Sequence, residues 1–63
     1  MKLDAFIARI TNCAVVTLHQ YDDDLEEYEL CDEVVDRMIP FMTNEMSVED
    51  LRDMVEDIVN DVL

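Results

Sequence analysis

The sequence predicts a small α+β domain in the order helix, strand, strand, helix, helix, with an antiparallel β-hairpin and a long C-terminal amphipathic helix. Three observations lead there. Apolar residues step by three and four through MSVEDLRDMVEDIVNDVL (46–63), and again from Leu3 to Ile10, as they do on helices with one buried face. Between these segments AVVTLHQY (14–21) is rich in β-branched residues, and YELC (28–31) resumes the alternation after an Asp run. Sixty-three residues with half of them hydrophobic make one small domain with a core. A core of that size supplies only a few kcal/mol, so a partner subunit is expected.

Leu3, Phe6, Ile7 and Ile10 define a short first helix over 3–10, which Asn12 can end in the left-handed conformation. If Asp22, Asp23 and Asp24 form a three-residue loop closed by Tyr21 and Leu25, Val16 faces Leu30 and Leu18 faces Tyr28, placing apolar residues on one side. The other side then pairs Thr17 with Glu29 and His19 with Glu27, and Asp24 is the loop residue best suited to a positive φ. Asp32 is the expected N-cap of a second helix, with Val34, Val35, Met38 and Met42 inward and Glu33 near the positive dipole end. Pro40 lacks an amide donor and disfavours helix at Ile39, so a break is expected there.

The last helix is the best marked. Ser47 is its N-cap, Asp50 completes a capping box, and Met46 can staple onto Leu51. Val48, Leu51, Val55, Ile58 and Val62 form its stripe, widened by Met54, Val59 and Leu63. That face is wide enough for two partners, so the expectation is a homodimer formed through it.

Seventeen Asp and Glu oppose four Lys and Arg, a formal charge of −13. Such a surface repels nucleic acid and anionic membranes, so direct binding to either is excluded. No apolar run approaches the roughly 18 residues of a membrane span, and Met1 to Ile10 lacks the pattern of a signal peptide, so a cytoplasmic location is expected. Cys13 and Cys31 cannot make a secreted-type disulfide framework and read as small buried hydrophobes.

Catalysis has little to rest on. His19 is the only histidine, and the chain has no glycine for a phosphate loop or oxyanion turn. Asp22, Asp24, Glu26 and Glu33 fall at positions one, three, five and twelve of an EF-hand count, but Glu27 replaces the glycine of the sharp turn. No catalytic, cofactor-binding or metal-ligating residue is therefore assigned. Met38, Met42, Met46 and Met54, at helical spacing, read as core.

The acidic surface remains. A solvated helix face normally mixes signs, because opposite charges one turn apart attract and like charges repel. Here Glu49, Asp53 and Asp57 share one column beside Asp50 and Asp61, while Glu56 lies on the flank and Arg52 is the only cation. Asp57 and Asp61 also lie toward the negative end of the helix dipole, so folding stability alone does not select them. Carboxylates one turn apart are separated by about 5.4 Å, comparable to successive phosphates on a DNA strand. The expected partner is a basic nucleic-acid-binding protein whose groove takes these rows in place of phosphates. The candidate contact residues are Asp22, Asp23, Asp24, Glu26, Glu27, Glu29, Glu49, Asp53, Glu56, Asp57 and Asp61, with Asp32, Glu33 and Asp36 on a second rim. An adaptor that docks another protein through the apolar face of the last helix is the other reading.

A short, glycine-free, strongly acidic chain with an Asp run and an acidic helix resembles the inhibitors carried by phages and mobile elements, anti-CRISPR proteins and uracil-DNA glycosylase inhibitors. The inhibitor of phi29-like Bacillus phages is similar over Val16-Thr17, Gln20, the run Asp22 to Asp24 and Tyr28-Glu29. The resemblance implies a stoichiometric inhibitor that occludes a nucleic-acid-guided nuclease or a repair enzyme, and it transfers no individual residue role.

Overall fold

The computed structural model describes residues 3–63, with Leu3 described only in its backbone, and over these residues the fold is all-helical. Helix α1 spans Leu3–Gln20, α2 spans Glu27–Met38 and α3 spans Val48–Val62, with a 3-10 turn at Ile39–Phe41. Each of the three helices packs on the other two. The α+β class, its hairpin and the order helix, strand, strand, helix, helix are thus overturned.

The physical reason lies in residues 14–20. Ala14 and Thr17 extend the buried stripe of Phe6 and Ile10 by further steps of four and three, so this run completes an amphipathic helix instead of starting a strand. Valine's helix propensity falls short of alanine's by less than about 0.7 kcal/mol, a cost that packing of the whole stripe outweighs. Asn12 is therefore an exposed residue inside α1 and not its terminator. Val16 no longer faces Leu30 across a ladder, and His19 sits exposed in the last turn of α1 instead of opposite Glu27.

Helix α1 ends at Gln20, eight residues beyond Asn12, and the device is local. The Asp23 amide donates to the Leu18 carbonyl at 3.0 Å and the Asp22 amide to the His19 carbonyl at 3.1 Å, the paired bonds of a Schellman cap. Such a cap needs a left-handed residue, and Asp22 (φ 54) and Asp23 (φ 62) take that conformation. Asp24, the expected positive-φ residue, does not. Short polar side chains tolerate this region better than others, which suits a chain without glycine.

Helix α2 starts earlier than Asp32. Glu26 stands at its N-cap in extended backbone and donates its amide to the Glu29 side chain at 3.2 Å. Leu30, Cys31, Val34, Val35 and Met38 then form its buried face. Pro40 acts as the sequence requires: α2 stops at Met38 and the chain tightens into the 3-10 turn. Helix α3 begins as read, with the Ser47 hydroxyl accepting from the Asp50 amide at 3.2 Å and the Asp50 carboxylate accepting from the Ser47 amide at 3.4 Å.

The core joins Phe6, Ile10 and Ala14 of α1, the buried face of α2, and Leu51, Val55 and Val59 of α3. Met42, Met46 and Met54 pack against its edge and Met38 lies inside it. Cys31 is buried, Cys13 is partly buried, and both are free thiols. Within α3's stripe, Val48 and Leu63 are exposed whereas Ile58 and Val62 are half-buried. The two partners for which that wide face had room are α1 and α2 of the same chain.

Candidate functional site: an acidic surface

With its apolar stripe committed to the core, α3 turns Glu49, Asp50, Asp53, Asp57 and Asp61 outward, all exposed. At about 1.5 Å rise per residue, the column from Glu49 to Asp61 runs the length of the helix. Helix α2 likewise turns Asp32 and Asp36 outward, with Glu29 and Glu33 half-exposed beside them. Asp22, Asp23, Asp24, Glu26 and Glu27 are exposed in the turn and first residue leading into α2.

The cations explain why these faces stay negative. Arg52 donates to Asp32 at 2.8 Å and lies 3.5 Å from Glu56, tying α3 to α2. Arg37 donates to the Thr17 hydroxyl at 3.0 Å and to Gln20 Oε1 at 2.8 Å, tying α2 to α1, and lies 3.7 Å from Glu33. Arg9 stacks over the Phe41 ring at 4.5 Å, tying α1 to the 3-10 turn. Each of these three arginines is held at a seam between elements. Among the described residues, the only carboxylates in an ion pair are Asp32, Glu33 and Glu56.

Two clefts flank α2. One, of about 360 Å³, is lined by Glu26, Glu27, Tyr28, Cys31, Arg52 and Glu56. The other, of about 320 Å³, is lined by Tyr21, Leu25, Glu29, Asp32 and Glu33. Burial pushes the Cys31 thiol up from its ordinary range, and the nearby Glu56 and Glu27 carboxylates push it the same way, which favours the neutral thiol. The hydrogen bond and charge of Asp32 hold the Arg52 guanidinium still more firmly protonated.

The structure thus brings Glu26, Glu27 and Glu56 to one cleft, a grouping the hairpin reading did not contain, and gathers Glu29, Asp32 and Glu33 at the other. Asp32 is not a cap but the acceptor of the α2–α3 bridge. Glu49, Asp53 and Asp57 share the column expected of them on α3, and Asp61 stands one turn further along. Asp22, Asp24, Glu26 and Glu33 do not form an EF-hand, because Asp22 and Asp24 belong to a turn, Glu26 to a cap and Glu33 to the second turn of α2. Among the described residues, no three or more His, Cys, Asp or Glu side chains are grouped to hold a metal ion.

Tyr21 and Tyr28 are additions. The hairpin register pointed Tyr28 inward, yet it is 62 % exposed beside the carboxylates, as is Tyr21 at 43 %. Steps of three and four through Leu30, Cys31, Val34, Val35 and Met38 already leave Tyr28 outside the buried arc, a signal present in the sequence. Among the described residues no helix is long and apolar enough to cross a membrane. No family model matches this chain, and neither characterised proteins nor solved structures give a match.

Proposed function

We propose that this protein is a stoichiometric inhibitor that presents carboxylates in place of phosphates and occludes the nucleic-acid groove of a basic enzyme. One observation carries the reading: exposed rows of carboxylates stand on rigid helices while the described arginines are tied to seams between elements. Among the described residues no ion pair occupies Glu49, Asp53, Asp57 or Asp61, so an incoming row of Lys and Arg meets free carboxylates there, and long-range attraction to the −13 body speeds the encounter. The exposed tyrosines beside α2 offer faces on which guanidinium groups stack. The resemblance to phage-borne inhibitors makes a CRISPR effector the first target to try and a uracil-DNA glycosylase the second.

The adaptor reading loses its surface, because Leu51, Val55 and Val59 are fully buried against α1 and α2. The test measures DNA binding by CRISPR effectors and by uracil-DNA glycosylase with and without the protein, across a salt gradient. The expected outcome is displacement of DNA from at least one enzyme, weakening steeply as salt rises, and abolished by Asp53→Lys with Asp57→Lys at unchanged circular dichroism. Inhibition that survives both reversals, or an absence of inhibition across the panel, overturns the reading.

A further inference from the structure

We draw no further inference here: the strongest candidate, the cleft of about 360 Å³ between α2 and α3 lined by Glu26, Glu27, Tyr28, Cys31, Arg52 and Glu56, belongs to the acidic surface already described, and nothing in the structure shows what occupies it.

Discussion

Asp22 takes the left-handed position that closes the cap of α1, a place where a side chain with a Cβ is disfavoured and glycine is not. Its carboxylate also lies just past the negative end of the α1 dipole. Both effects oppose folding, so Asp22→Gly should stabilise the protein by about 0.5–1 kcal/mol. For a domain of this size that is a rise of several degrees in the thermal midpoint; a fall would show that the carboxylate has a stabilising local partner. At the same scale Thr17 shows how a buried polar group is tolerated: it is fully buried, and its hydroxyl accepts from Arg37 at 3.0 Å. Neither role belongs to a hairpin, in which Asp22 is a loop residue and Thr17 faces solvent.

The helices differ in how plainly the sequence announces them. Helix α3 has a capping box, a staple residue and a continuous apolar stripe, and each signal agrees with the others, so its start at Val48 follows from local chemistry. Ser47→Ala removes the acceptor for the Asp50 amide and should cost about 1 kcal/mol, seen as a lower midpoint in a urea or thermal melt with the helix content of the native state retained. A change below the error of the melt would mean that the cap is redundant. Helix α1 is harder to read because β-branched residues 14–17 satisfy a strand's alternation and a helix's three-four steps at once, and a run so short cannot decide between them. The same ambiguity shortens α2 in the sequence: with YELC in a strand, Asp32 is the first residue left to cap a helix.

At the scale of the whole molecule, three helices around one core hold seventeen acidic side chains against four basic ones. Self-repulsion of that charge opposes the compact state, so folding stability should rise as sodium chloride is increased from low ionic strength toward about 0.5 M, where the Debye length falls to a few Å. The bridges of Arg52 with Asp32 and Glu56 work in the opposite direction but are exposed and few. A midpoint that falls with salt would show that these pairs outweigh the repulsion. The expected salt signs are opposed: target binding weakens with salt, while folding strengthens.

The sequence by itself determined the single domain, the acidic column of α3 with its cap, the stop at Pro40 and the inward methionines, because each rests on composition or on residues within one or two turns of each other. Only the tertiary structure decided that residues 14–20 are helical, that α3's apolar face is covered by its own chain, and that Glu26, Glu27 and Glu56 share a cleft. Those outcomes depend on which stripe finds a complementary surface far away in the chain, and local periodicity carries no information about that pairing.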